Sequence, residues 1–273
     1  LGNFKKGWEL YEARFKTEQF LEIVYPTTGP NIEQISDLPS QGEPPVVIWS
    51  EQGMGDAIQF CRYLFLFEEK QVPFVFVARE SLFKLMKDWL PYPDKVVLEK
   101  TWDPQKDKRS KIALMSLPKL FGTELSTVPC LCPYIKAPSS TPKHCLIDPA
   151  PGGISIGFAW ASNPDNKAMY RYKSMPANVL MKYFICLLES NLADIHSLQV
   201  GSDASQIDEW KSYDHFFDWN DKLNDFNDTA HVINQLDLVI SVDTAVAHLA
   251  GALGKPVWLL LPANPDFRWM IDC

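Results

Sequence analysis

The chain has 273 residues, 46% of them hydrophobic and 22% charged, with a net charge of -8 and a pI near 5.2. That length suits two domains of ordinary size, and the composition is that of a globular protein, not a disordered one. The acidic balance argues against a nucleic-acid partner, which needs clustered Lys and Arg, and no apolar run in the sequence reaches the length of a bilayer span.

Residues 1–22 carry Phe4, Trp8, Tyr11 and Phe15 at helical spacing, a stripe that packs against a partner helix. The pattern starts abruptly, as in a fragment, and nothing in it reads as a signal peptide. Residues 23–45 are rich in Pro, Ser and Gly and read as a linker. Pro45 to Trp49 is then a strand, Ser-Glu-Gln-Gly-Met-Gly-Asp a turn, and Asp56 to Lys70 an amphipathic helix. Strand, glycine turn and helix open a Rossmann-like domain. Gly53 and Gly55 let the backbone turn tightly and approach a ligand. The third glycine of the dinucleotide fingerprint is missing, which disfavours NAD and FAD. Asp56 stands at the helix start, where the dipole keeps a carboxylate ionised and fit to take a proton from a hydroxyl, with Gln59 one turn on. A plain helix cap accounts for Asp56 equally well.

Strands at Phe74–Val77, Lys95–Leu98 and Ile112–Met115, with a helix over Ser81–Trp89, complete this first domain. The segment from Val128 to Pro151 holds six prolines and reads as the interdomain linker. Its Cys130-x-Cys132 pair, followed by His144 and Cys145, matches no common zinc spacing. The cysteines therefore read as thiols of a reducing, cytoplasmic compartment.

Ile154 to Trp160 opens a second domain and runs into a polar stretch containing Asn163. Arg171, Lys173 and Ser174 follow that strand end, where two cations and a hydroxyl can meet a phosphate; a solvated basic loop is the alternative. A helix over Ala177–Glu189, strands at Ile195–Val200 and His215–Phe217, and a helix over Asp225–Leu236 come next. The stretch from Asp237 to Leu261, DLVISVDTAVAHLAGALGKPVWLLL, is a βαβ unit: strand Leu238–Val242, turn at Asp243 and Thr244, helix Ala245–Leu253, second strand. Ligands of open α/β sheets sit beyond the carboxyl ends of the strands, where Asp243 and Thr244 lie, and the helix start attracts phosphate. His248 falls one turn after Thr244 on the same face. A capped core helix with an interior histidine is the competing account.

Three pieces carry a resemblance: Glu-Gln-Gly-Met-Gly-Asp-Ala-Ile-Gln-Phe-Cys-Arg-Tyr, Gly-Phe-Ala-Trp-Ala-Ser-Asn-Pro with Lys-Ser-Met-Pro, and Asp-Thr-Ala-Val-Ala-His-Leu-Ala-Gly-Ala-Leu-Gly-Lys-Pro-Val-Trp. Together they resemble the bacterial tetratricopeptide-linked glycosyltransferases related to the ADP-heptose:lipopolysaccharide heptosyltransferases, glycosyltransferase family 9. The resemblance implies an α/β GT-B fold with two Rossmann-like domains facing across a cleft, an acceptor-side domain at 45–140 and a nucleotide-sugar domain at 152–273 whose end is cut short. It implies that residues 1–22 are the helical remnant of a repeat array through which a protein partner binds. It implies inverting transfer without a metal or cofactor, from a nucleotide-diphosphate sugar to a glycan, lipid-linked glycan or protein hydroxyl, in the cytoplasm or at the inner face of its membrane. Asp56 takes the role of general base, with Gly53, Gly55 and Gln59 on the acceptor side. Lys173, Ser174, Asp243, Thr244 and His248 hold the donor, with Arg171, Trp160 and Asn163 beside them. Ala245 stands where the family has glycine, and Tyr-Arg-Tyr-Lys-Ser stands where an Arg-Ser pair is usual, so Arg171 and Lys173 compete for the role of ion partner. A non-catalytic binding module and a nucleotide-sugar epimerase are the competing functions.

Overall fold

Apolar runs that alternate with helices fold into two parallel sheets, each belonging to its own unit. The computed structural model describes residues 2–17, 29–148 and 153–270. The chain divides into Leu1–Leu131 with Phe267–Cys273, and Cys132–Asp266. The division falls after Leu131, inside the segment Val128–Pro151 read as the linker, and the C-terminal stretch Phe267–Cys273 groups with the first unit.

The first sheet contains β1 (Val46–Trp49), β2 (Phe74–Ala78), β3 (Val96–Leu98) and β4 (Lys111–Ala113), in the order β3-β2-β1-β4 and all parallel. Val46, Val47, Ile48 and Trp49 are all buried, as a strand covered on both faces requires. The helix expected over 56–70 is broken into α2 (Met54–Phe60), a 3-10 turn (Cys61–Tyr63) and α3 (Leu64–Glu69). At the break Arg62 Nε donates to the Gln59 carbonyl at 2.8 Å and the Cys61 thiol to the Ile58 carbonyl at 3.1 Å, and the helix tightens there. A helix over Glu80–Trp89 packs by Leu82, Leu85, Met86 and Trp89.

The N-terminal stripe forms α1 (Phe4–Tyr11) and a 3-10 turn over Glu12–Lys16; residues 18–22, like 23–28 of the first linker and 149–151 of the second, lie outside the described residues. Among the described residues, what the stripe meets is the first unit's own body. Trp8 donates from Nε1 to the Thr123 carbonyl at 3.1 Å and packs edge-on against Phe60 and Phe267.

The second sheet contains β5 (Ile154–Ala159), β6 (Ala193–Ser197), β7 (Phe216–Asp218), β8 (Leu238–Val242) and β9 (Val257–Leu260), parallel in the order β7-β6-β5-β8-β9. In both sheets the strand succession reverses beside the first strand, the doubly wound order that places a ligand crevice there. The second core gathers Phe158, Trp160, Met181, Phe184, Ile195 and Ile207. Gly157 in β5 is required by close approach, because a Cβ there would lie 2.4 Å from Leu236 Cδ1.

Two segments differ from their sequence reading. The polar stretch after β5 contains a helix (Lys167–Lys173) whose N-cap Asn166 accepts from Met169 N at 3.2 Å, and the turn at Gly201 leads into a long 3-10 helix, Ser202–Trp210. Lys167–Lys173 buries no residue and so shows no apolar period, whereas Ser202–Trp210 buries Ala204, Ile207 and Trp210 at the three-residue spacing of a 3-10 helix, a period distinct from that of an α-helix. Among the described residues no helix is long and apolar enough to cross a membrane.

Candidate active site

In the second sheet the order reverses between β5 and β8, and the residues that leave these two strands lie side by side. Asp243 follows β8 and is buried. Its Oδ2 lies 2.7 Å from Lys173 Nζ, and its Oδ1 lies 3.5 Å from His248 Nε2. Lys173 is the last residue of the helix Lys167–Lys173, so the unexpected helix is what delivers it. After α3 come α4 (Glu80–Trp89), α5 (Leu117–Leu120), α6 (Lys167–Lys173), α7 (Ala177–Glu189), α8 (Phe226–Ile233) and α9 (Ala245–Ala252), and His248 lies on the last of these.

Thr244 occupies the N-cap position of α9, yet its side chain makes no capping bond to the first turn. Its Oγ1 lies 3.1 Å from Ser241 Oγ. The Thr244 side chain thus leaves the first-turn N–H groups of α9 to other acceptors, and a helix start of this kind favours an anion. Asp243 is the anchor of Lys173 and His248. Ser174 ends α6 and accepts from Ser162 N at 2.9 Å, fastening the loop after β5 to the helix that carries Lys173.

The remaining donor-side residues are not part of this cluster. Arg171 is exposed on α6, which leaves Lys173 as the ion partner of Asp243. Trp160 is fully buried in the core and stacked on Phe158, so its ring is packing. Asn163 is exposed and accepts from Asp165 N at 3.0 Å, shaping its own turn. Gln199, which sequence reading passed over, accepts from the backbone of both Trp160 and Ala161 and fixes the exit of β5. A lone Gln after a strand carries no sequence signal.

In the first unit, Asp56 Oδ2 accepts from Gly53 N at 2.8 Å, and Oδ1 pairs with Arg268. Asp56 is therefore both a capping residue and a charged group facing a guanidinium. Gly53 is extended at φ −79, and the left-handed turn belongs to Gln52 at φ 59 instead; the reason for glycine at 53 is that a Cβ would come within 2.9 Å of Asp56 Oδ2. Gly55 lies inside α2, so neither glycine makes the tight turn expected of it. Gln59 Oε1 is buried with no hydrogen-bond partner among the described residues. Arg79 lies near enough to feel both Asp56 and Glu51, while burial holds its guanidinium below the ordinary range.

The model of the family described as Glycosyltransferase family 9 (heptosyltransferase) matches residues 222–264. No curated protein matches the sequence. Among solved structures, the E. coli heptosyltransferase WaaC with ADP-2-deoxy-2-fluoro heptose is similar at 15% identity and TM-score 0.53, covering 82% of this chain and 90% of that one. E. coli ADP-heptose lps heptosyltransferase II is similar at 11% identity and TM-score 0.57, over 82% and 87%. The glycosyl transferase family 9 structure from Veillonella parvula DSM 2008 is similar at 13% identity and TM-score 0.56, over 82% and 84%. At such identities the likeness is one of fold. Residues 222–264, which carry Asp243, Thr244 and His248, match glycosyltransferase family 9 (heptosyltransferase), within an α/β fold of parallel sheets like that of solved heptosyltransferases.

Proposed function

We propose that this chain is an inverting, metal-independent glycosyltransferase of GT-B design that moves a sugar from a nucleotide-diphosphate donor to a hydroxyl on a glycan, a lipid-linked glycan or a protein. The observation that supports this most is the gathering of Lys173, Asp243 and His248 at the start of α9, on the switch point of a parallel sheet. As the bond from the anomeric carbon to the diphosphate breaks, its electron pair goes to the leaving phosphate oxygen. The Lys173 ammonium, the Thr244 hydroxyl and the first-turn N–H groups of α9 meet that growing charge. Losing one such donor typically costs about 3 kcal/mol, on the order of a hundredfold in rate. Asp243 serves by holding Lys173 and His248 in place. Asp56 is the base: the acceptor oxygen attacks the opposite face of the anomeric carbon and its proton passes to the Asp56 carboxylate. Arg268 must then yield its contact on Oδ1 to the acceptor.

The experiment is a panel of ADP-, UDP- and GDP-sugars with glycan, lipid-linked and peptide acceptors. The expected result is release of nucleoside diphosphate that depends on the acceptor, a product of inverted anomeric configuration, and a rate unchanged by added magnesium or manganese. A second reading, a nucleotide-sugar-binding module without turnover, draws on the fact that both Asp56 oxygens are engaged, by Arg268 and by Gly53 N. Thermal protection by nucleotide-sugars with no release under any acceptor decides for that module.

A further inference from the structure

His144, Cys145 and Asp228 bring an imidazole, a thiol and a carboxylate together with all their ligand atoms within 4.8 Å of one another. His144 Nε2 is 3.0 Å from Asp228 Oδ1, and Cys145 Sγ is 3.6 Å from the same oxygen. Zinc bonds of about 2.0 Å to nitrogen and oxygen and about 2.3 Å to sulfur, at tetrahedral angles, separate N from O by about 3.3 Å and S from O by about 3.5 Å. The Nε2–Oδ1 and Sγ–Oδ1 separations are already close to those of such a tetrahedron, and all three atoms lie within 4.8 Å of one another.

The surroundings hold them there. Gln235 donates from Nε2 to the Cys145 carbonyl at 2.7 Å and accepts from Ile147 N at 3.1 Å, locking the turn over Lys143–Cys145 onto the end of α8. Asn224 occupies the other carboxylate oxygen, Oδ2, through its backbone N at 3.1 Å and its Nδ2 at 2.9 Å, which turns Oδ1 toward the imidazole and thiol. Supporting hydrogen bonds of this kind orient metal ligands. Cys145 and Asp228 are buried, while His144 is 48% exposed by its side chain and gives solvent a way in.

We infer that His144, Cys145 and Asp228 form a binding site for a zinc-class divalent cation, with its fourth corner open to water. On binding, the Cys145 thiol proton leaves to solvent, and thiolate, carboxylate and neutral imidazole each donate an electron pair. The two anionic ligands offset the charge of the ion. The cation staples the turn over Lys143–Cys145 to α8. The site uses none of the residues proposed for transfer and does not depend on that reading.

The test uses the full chain carrying Cys130→Ser, Cys132→Ser, Cys186→Ser and Cys273→Ser, titrated with cobalt(II) and then zinc. One cobalt per chain with a thiolate-to-cobalt charge-transfer band, displaced by zinc, is expected. Cys145→Ser removes the band, and His144→Ala, a change at a surface side chain that does not threaten folding, weakens cobalt binding at least tenfold. Absence of the band, its survival in Cys145→Ser, or cobalt affinity unmoved by His144→Ala overturns the site.

Discussion

Lys173 and Asp243 meet at 2.7 Å, joining the last residue of α6 to the residue that leaves β8, with side chains only 17% and 4% exposed. A pair this secluded is retained at the cost of desolvating both charges, and removing one partner strands the other. Lys173→Ala is expected to weaken binding of a nucleoside diphosphate far more than binding of the nucleoside, by roughly tenfold or more, and to lower stability by about 1–3 kcal/mol as Asp243 loses its ion partner. Calorimetric titration with ADP and adenosine, and with the UDP and GDP pairs, checks the first; urea unfolding checks the second. Equal losses for diphosphate and nucleoside contradict a diphosphate contact.

Asp56→Asn keeps a group of the same shape between Gly53 N and Arg268 while removing the basic oxygen. Nucleotide binding should stay within about twofold, and transfer should fall by about a hundredfold or more, the range of a lost general base. Turnover equal to that of the unaltered protein removes Asp56 from the base role.

Much of the scaffold was legible because buried parallel strands are continuous apolar runs: VVIW, FVFVA, ISIGFA and LVISV all stand where their hydrophobicity put them. Asp243, Thr244 and His248 were legible for the same reason, being pinned to the end of such a run. Lys173 was found by residue type but misplaced in a loop, since Lys-Ala-Met-Tyr-Arg-Tyr-Lys has no buried face to show a helical period. Trp160 misled in the other direction: a strand-end tryptophan reads equally as a ligand platform or as core, and only its contact with Phe158 decides. The site formed by His144, Cys145 and Asp228 was illegible because one ligand lies on α8, far along the chain from the other two.

His196 gives a pH signature. It is fully buried on β6, accepts from Trp219 Nε1 at 3.0 Å and stacks on Phe217. Burial pulls its pKa down to about 4, against a smaller opposing pull from Asp194. The unfolded chain takes up this proton near pH 6.5 and the folded chain only near 4, so between those values the unfolded state binds more protons. The neutral histidine's contribution is complete above pH 6.5 and is lost as pH falls toward 4, by about 3 kcal/mol in all. Urea unfolding of the native protein and of His196→Gln at pH 7 and pH 5 should show the smaller pH loss in the variant. Parallel losses in both proteins refute the assignment.

Arg14 and Glu51 fasten the N-terminal segment into the first unit at its own switch point. Arg14 donates to both carboxylate oxygens, at 2.7 and 3.0 Å, and Met115 N adds a third bond at 3.1 Å. The Glu51 side chain is 0% exposed, and burial raises its pKa despite the pull of Arg14. Arg14→Met therefore leaves a buried carboxylate without its guanidinium and is expected to cost about 3–5 kcal/mol. Adding Glu51→Gln should recover part of that loss, because the second change removes the stranded charge, so the double variant will be more stable than the sum of the single ones. Urea unfolding of the four proteins measures the coupling. A loss below about 1 kcal/mol in Arg14→Met would mean that residues 2–17 are an appendage; the larger loss makes them part of the unit that carries Asp56, and truncations that begin at β1 would then remove a structural element.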